Sequence, residues 1–573
     1  MHLRKVTKKN GRIYLSIVRS YRDKNAKNPR AVTVESLGYL DELEKKYDDP
    51  IAFFTEKIKQ INKQEAENNS PIILTIDKNE RISTNSTTRK NFGYAALSKI
   101  YHQLEIDTFL INRQRNSKEE YDANAILKLL VFSRLLYPSS KKTTYENKDV
   151  FFEKTNFSLD DLYRCLSFFN KHKESLQLWL HERVKKHYNR NTKLIYCDVT
   201  NYYFEIDKQD ELRKKGVSKE RRPDPIVQMG LFMDTCGIPI TYKLFSGSTV
   251  DKATLIPMLN GIREDYSLGR IIVVADKGII TGDNIWSTLS DESGYVFSYS
   301  IRGADKKLKE YVLDDTDYVW GNDEFKIKSR VCQRQITVTA EDGKKKVKKN
   351  IEEKQVIFYN EKYAVKARTE RAIAIEKAKY MVKSPSKYNS SNAQGAAKYV
   401  KNIAFDSKTG EILENIKQQL SFDEDKVRQE AELDGYYAIV TSELQETDEK
   451  IIDICKGLWK IEESFKVTKS DLETRPVFVS TEDHIEAHFL TCFVALVIAR
   501  ILELRLNGKF SVTAIMDSLR GSSCSHAHEN YYLFDYYDEI LADIGANMGI
   551  DFTKKYLSLK EIKTVLGEVK KKK

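Results

Sequence analysis

The chain has 573 residues, 41% of them hydrophobic and 11% aromatic, with 95 Lys plus Arg against 84 Asp plus Glu for a formal net charge of +11. That length calls for three or more domains and at least one large buried core, and that composition excludes wholesale disorder. The 7 cysteines are scattered with no C-x-x-C pair, which argues against a disulfide framework or a cysteine zinc site. Met1-His2-Leu3-Arg4-Lys5 opens with no apolar stretch, so no secretory signal is expected. The longest apolar run, residues 489–499, is shorter than the roughly 20 residues of a membrane span and reads as a buried helix. A reducing cytoplasm is the expected location, and the basic excess suits a polyanionic partner.

In chain order, residues 1–62 read as a basic β-hairpin domain. Two alternating runs, 12–18 and 31–37, flank a polar 23–28 stretch, and a helix follows over 50–62. Residues 63–90 read as a linker. From 91 to 190 the period is helical, with Leu97, Ile100, Tyr101 and Leu104 at three-to-four spacing and a second set at Ile126, Leu129 and Leu130. This helical domain is a candidate for gripping DNA. The period then changes: a strand over 193–197 is ended by Asp198, two strands over 226–233 and 238–245 enclose a turn at 234–237, and a helix over 250–266 precedes a strand over 271–275 ended by Asp276. A helix near 284–289 and a strand over 295–301 close this first part of a catalytic core, residues 191–301.

Strand-strand-strand-helix-strand, with an aspartate ending the first and fourth strands, is the layout of an α/β, ribonuclease H-like fold. Residues 302–435 turn Lys-rich, with β-like pieces and a helix over 364–381, and read as a β-rich insertion. The second part of the core, 436–510, holds a strand over 436–441 and one helix from about 453 that carries Trp459, Ile461, Glu462, Phe465 and Lys469. Residues 511–573 read as a C-terminal helical region.

Phosphodiester hydrolysis and transesterification need an activated oxygen nucleophile and an offset for charge on the departing oxygen. Two Mg²⁺ ions roughly 3.5 to 4 Å apart supply both. Mg²⁺ takes hard oxygen ligands, usually one or two carboxylates per ion, so three acids suffice. Adjacent strands lie about 4.8 Å apart, so Asp198 and Asp276 share a metal only if their strands are neighbours. Glu462 and Lys469, seven apart on a helix, project from nearly one face, while Glu463 points about 100° away. Taken singly, each aspartate reads as a turn or cap residue and the helix as an ordinary amphipathic one; their order along the chain favours the metal reading.

Tyr196-Cys197-Asp198-Val199-Thr200, Val274-Ala275-Asp276-Lys277-Gly278 and Leu458-Trp459-Lys460-Ile461-Glu462-Glu463-Ser464-Phe465, with Lys469 and Arg475-Pro476, resemble the DDE transposases of bacterial insertion sequences, in the IS-four superfamily. The resemblance covers most of the chain. It implies Asp198, Asp276 and Glu462 as catalytic, metal-binding residues, two Mg²⁺ ions with Mn²⁺ as substitute, and double-stranded DNA, both element ends and target, as partner. It also implies a homodimer in a synaptic complex and association with the nucleoid on DNA. Lys469, Lys460, Lys456 and Arg475 are the expected DNA-phosphate contacts. Trp320, the one tryptophan of the insertion, is the candidate for stacking on a flipped base, against a plain core-packing role. The family's Tyr-x-x-Arg ahead of the glutamate falls on Cys455 and Leu458, two departures.

Other features read blandly. His484 and His488 share a helix face as a structural pair, His526 and His528 fall in a Ser-rich exposed loop, and the lysines of 344–349 read as a solvated loop, with a phosphate contact as the alternative. Asp234 reads as a turn residue, Asp251 as a helix cap and Glu205 as strand surface. The competing functional readings are a structure-specific nuclease on the same fold and a catalytically silent DNA-binding relative.

Overall fold

The computed structural model describes residues 1–8, 11–21, 30–67, 79, 81, 84, 89–115, 117–220, 222–260, 262–322, 324–340, 344–384, 395–403 and 419–571. It divides into two units, residues 1–84 and 85–573.

In the first unit the expected hairpin gains a third strand. His2–Thr7, Ile13–Tyr21 and Arg30–Tyr39 form an antiparallel sheet in that order. A helix, Pro50–Glu67, follows, and Leu15, Leu43 and Phe54 make the buried core. The first strand escaped notice because its apolar residues, Leu3 and Val6, break the period of two. The polar 23–28 connection and most of the expected linker lie outside the described residues.

The second unit is built on one mixed sheet. Its strands are β1 (Leu194–Tyr203), β2 (Ile226–Met233), β3 (Pro239–Ser246), β4 (Ile272–Ala275), β5 (Gly294–Tyr299), β6 (Val319–Asn322), β7 (Phe325–Thr339), β8 (Lys346–Asn360) and β9 (Tyr436–Thr441). They lie in the order β6-β7-β8-β9-β5-β4-β1-β2-β3. β1, β4 and β5 run parallel, and every other pairing is antiparallel. The strands of the two aspartates are therefore neighbours.

Both faces of this sheet are covered, which is why its central strands read as continuous apolar runs. Along β1, Ile195, Cys197 and Val199 pack into a core with the short helices Leu255–Leu259 and Ile262–Asp265 and the helix Gly282–Ser290. Tyr196 and Tyr202 face the other way, into a larger core. There the helix Glu482–Arg505 is apolar all round and buried, with the helices Ala123–Leu136 and Leu159–Lys171 packed against it. It is long and apolar enough to cross a membrane, but its residues lie inside the fold. The helical segment ahead of the core is thus continuous with it, and its apolar face is spent on packing.

Three expectations on architecture are corrected. The β-rich insertion is not a separate layer, because β6, β7 and β8 extend the core sheet, with β9 between β8 and β5. The single helix expected from about 453 is two, Asp448–Lys456 and Trp459–Ser470. The C-terminal region is mixed: Ser523–His528, Tyr531–Phe534 and Tyr556–Ser558 join Arg89–Asn91 in a four-stranded sheet beside three helices. His526 accordingly stands on a strand, and the lysines from 346 to 349 begin β8 rather than a loop.

Candidate active site

Parallel pairing of β1 with β4 ends at Cys197 opposite Ala275. Asp198 and Asp276 are the next residue on each strand, so both emerge where the parallel ladder stops. Asp198 does not end its strand as expected. β1 runs on to Tyr203, held by β2, with Asp198 opposite Leu231. Asp276 does leave the sheet, at the start of a short turn, and accepts a hydrogen bond of 2.6 Å from Ser298 Oγ of β5.

Asp198 feels the charge of Asp276. Burial pushes the Asp198 carboxyl up to about 6, and the charges of Asp276 and Asp251 add to the rise. Lys219 and the Val199 backbone N–H oppose it. Lys219 sits on the long connection between β1 and β2, which the buried Asn201 fastens down: its Nδ2 donates to the Val217 carbonyl at 3.2 Å. The Lys219 ammonium donates to the Val199 carbonyl and lies 3.7 Å from Asp251. The sequence reading missed Lys219, whose basic stretch reads as ordinary surface, and took Asp251 only for a cap.

Glu462 is in the first turn of the helix Trp459–Ser470 and is exposed. It lines a cleft of about 680 Å³ together with Asp276, Lys277, Arg302, Lys456, Trp459, Tyr363 and Tyr437. Glu463 faces elsewhere, 3.5 Å from the buried Arg500. Asp198 lies outside the residues of that cleft, and among the described residues no group of three or more acidic, histidine or cysteine side chains is close enough to hold a metal ion. The structure therefore brings the two aspartates together and puts Glu462 across a cleft from one of them. The pair suits a hard divalent cation: two carboxylate oxygen donors, side by side, with burial already penalising the charge on one of them.

The other expected contacts divide. Lys456 is 65% exposed at the cleft, 3.4 Å from Asp453. Lys469, whose pKa burial pulls down to about 8, lies 3.3 Å from Glu220, and Arg475 pairs with the same carboxylate. Lys460 donates to the Thr235 carbonyl at the β2–β3 turn. Trp320 is 57% exposed on β6, which excludes the core-packing role, and Lys326 lies 5.4 Å from its ring. Trp459, 56% exposed beside Glu462, was read only as part of the helix pattern. Cys455 and Leu458 both line the cleft, and burial raises the Cys455 thiol to about 12. The break between the two helices falls at Gly457, where a methyl group would overlap the Tyr196 hydroxyl.

His488 is buried and spoken for. Its Nε2 lies 2.8 Å from the Thr474 carbonyl and its Nδ1 bonds to the buried Lys141, as a structural role requires.

A family model described as the transposase DDE domain matches residues 204–498, more than half of the chain. The chain belongs to the DDE transposases. A second, the N-terminal domain of the IS1634 family of transposases, matches residues 3–71. Asp276 and Glu462 fall within the DDE match and Asp198 just ahead of it. DDE transposases are nucleases and strand transferases that in general use divalent metals. No curated protein matches the transposase. Among solved structures, it is similar to a piggyBac transposase synaptic complex with hairpin DNA, at 7% identity and a TM-score of 0.34 over 83% of this chain and 84% of that one. A Mos1 mariner paired end complex with Mn is similar at 14% identity and a TM-score of 0.11, over 26% of this chain and 49% of that one.

Proposed function

We propose that this transposase binds the terminal inverted repeats of its own insertion sequence, hydrolyses phosphodiester bonds at the ends to free 3′-hydroxyls, and directs those hydroxyls at target DNA. Asp198, Asp276 and Glu462 are its catalytic, metal-holding carboxylates, on a ribonuclease H-like core formed by β1 to β5 in the order 3-2-1-4-5. The observation that carries this reading is the register of β1 and β4, whose last pair, Cys197 opposite Ala275, immediately precedes Asp198 and Asp276 on strands about 4.8 Å apart. The contribution of the Asp276 charge to the rise at Asp198 and the position of Glu462 on the cleft of Asp276 support it.

Asp198 and Asp276 would hold Mg²⁺, with Mn²⁺ as substitute, and the metal would supply an activated oxygen nucleophile and an offset for charge on the leaving oxygen. The chain's own groups do the rest. Asp198 and Asp276 hold the site, Ser298 orients Asp276, and Glu462 completes the set when DNA fills the cleft. Lys456 takes backbone phosphate at the rim, and Lys469 and Arg475 do so once released from Glu220. Lys460, committed to the Thr235 carbonyl, is the least suited of the expected contacts. Trp320, exposed on an edge strand, is available for stacking. Two copies assemble around two ends.

The test is Asp198→Asn in Mg²⁺ on duplexes bearing the ends of the element. Cleavage should vanish while end binding persists; full cleavage by the variant removes the assignment. A second reading, a catalytically silent DNA-binding relative, is favoured by Cys455 and Leu458 at the cleft and by the separation of Glu462 from Asp198. Wild-type protein that binds ends but never nicks them would establish it. A structure-specific nuclease would nick junctions and fail to join ends in a strand-transfer assay.

A further inference from the structure

We propose that the far half of the β7–β8 hairpin is a base-reading element that enters the major groove of duplex DNA. The proposal deepens the function proposed above and rests on it, since it names the part of the chain that recognises the element's ends.

β7 and β8 pair with each other along their full length, from Phe325 opposite Asn360 to Thr339 opposite Lys346. Their outer neighbours stop early: β6 pairs with β7 only between Phe325 and Ile327, and β9 pairs with β8 only between Lys354 and Tyr359. Beyond those points the hairpin leaves the nine-stranded sheet and runs on as a two-stranded ribbon. Residues 332–339 alone extend it by roughly 25 Å. Two strands about 4.8 Å apart, with their side chains, fit a major groove about 12 Å wide, which admits a two-stranded ribbon as readily as a helix.

Directly opposed residues of an antiparallel pair share a face. One face of the ribbon carries Ile336, Val338 and Ile351, which are buried against the helix Gly282–Ser290. Lys349 on the same side lies 4.8 Å from the Trp286 ring. That packing holds the ribbon rigid, as a reading element requires. The opposite face carries Gln335 across from Asn350 and Thr337 across from Lys348, then Lys346 at the far end, all exposed. The Gln335 amide donates to Asn350 Oδ1 at 3.4 Å, so the two amides already lie together.

These are the residue types that read base edges. Gln and Asn pair with adenine through two hydrogen bonds, Lys reaches guanine O6 and N7, and the Thr methyl meets the thymine methyl. A plain solubility role for the lysines, keeping an unpaired ribbon from joining other chains, accounts for Lys346 and Lys348 but not for an amide pair and a threonine between them. Glu352, opposite Gln333 at the root of the ribbon, limits the reading face to its outer part. Charge complementarity selects DNA: residues 344–349 hold five lysines and no acid.

The experiment compares full-length wild type with Gln335→Ala/Asn350→Ala and with Lys346→Gln/Lys348→Gln. The probes are duplexes of the DNA immediately flanking the gene and shuffled duplexes of the same length and composition. The amide variant should lose about tenfold or more in affinity for the flanking DNA, with the shuffled duplex unaffected. The lysine variant should weaken on both and shorten the salt dependence by about one unit per charge removed. Dimethyl sulfate protection of guanine N7 in the flanking DNA should fade in the lysine variant. Every position is exposed, so unchanged thermal unfolding is the folding control.

A wild type that prefers the flanking DNA, with the amide variant within twofold of it and the N7 footprint of the lysine variant intact, overturns the ribbon alone. A wild type with no preference overturns the end-binding reading and the ribbon with it. Lysine variants that self-associate without losing affinity return the hairpin to a solubility role and also overturn the proposal.

Discussion

The two aspartates and the glutamate are held in place by opposite means. Asp198 and Asp276 follow directly on a parallel ladder that is buried on both faces, and moving one against the other requires breaking the pairing of Leu194–Cys197 with 272–275. Glu462 rides on an arm. At its start the helix Trp459–Ser470 is set by the break at Gly457 against Tyr196. Midway, Arg500 donates to Ser464 Oγ at 3.0 and 2.8 Å. At its end Arg134 donates to the carbonyls of Leu472 and Glu473, and His488 meets that of Thr474. The strand half is positioned by backbone, and the glutamate helix by side chains: Ile461, Phe465 and Val467 are buried in the larger core, and the polar contacts from other elements add to them.

The largest expected effect lies on the strand half. Asp198→Asn keeps the strand and removes the charge, so cleavage should fall about a thousandfold or more with end binding intact. Asp276→Asn should do the same, and a large difference between the two would mean that they do not serve one centre. Next comes the frame of that half. Asp234 is the turn residue expected, accepting from the Cys236 and Ile238 amides, and is also half of a buried ion pair, 2.9 Å from Arg190. Asp234→Ala leaves a buried guanidinium uncompensated, and denaturant unfolding should show a loss of about 3 to 5 kcal/mol. A loss under 1 kcal/mol would mean that the β2–β3 turn does not depend on the pair.

On the arm the corresponding change is smaller. Gly457→Ala forces the Tyr196 side chain aside, and stability should fall by about 1 to 3 kcal/mol. Activity should fall further than the stability loss explains, because the helix that carries Glu462 starts two residues on. Tyr196→Ala on the Gly457→Ala background should recover activity. Failure to recover any would mean that the break is not what sets the helix.

The same division governs what was legible in the sequence. The aspartate strands announce themselves because two-sided burial writes continuous apolar runs such as Ile195-Tyr196-Cys197; their adjacency is only a condition in the sequence, and the pairing of β1 with β4 meets it. The helix break did not show: Gly457 interrupts an otherwise helical pattern, and its reason is Tyr196, far away in the chain. The ribbon was hidden because only Ile336, Val338 and Ile351 mark its buried face amid lysines, too sparse for a period of two. The strand Ser523–His528 has no β signature of its own; pairing with Arg89–Asn91 and Tyr531–Phe534 imposes it. The clamp on the arm was also invisible, since Arg134 and Lys141 read as surface cations and both are buried.

That clamp has a pH signature. His488 faces the Thr474 carbonyl through Nε2, and a carbonyl only accepts, so Nε2 carries the proton and Nδ1 accepts from Lys141. Burial, with Arg134 adding repulsion, pulls the Lys141 ammonium down to about 7, against 10.5 for the free group. Between those values the unfolded chain holds one more proton than the folded one, so folding gains stability as pH rises, by about 1.4 kcal/mol per unit. Below pH 7 both states are protonated and the burial penalty is present in full; above about 10.5 both are neutral and it is gone. Lys141→Met removes the group, so the unfolding free energy of wild type minus that of the variant should be flat below pH 7. It should climb by roughly 3 kcal/mol between pH 7 and 9. A difference that stays flat across that interval would show Lys141 titrating as a solvated lysine, and the loop after the glutamate helix would then be held by Arg134 and His488 without it.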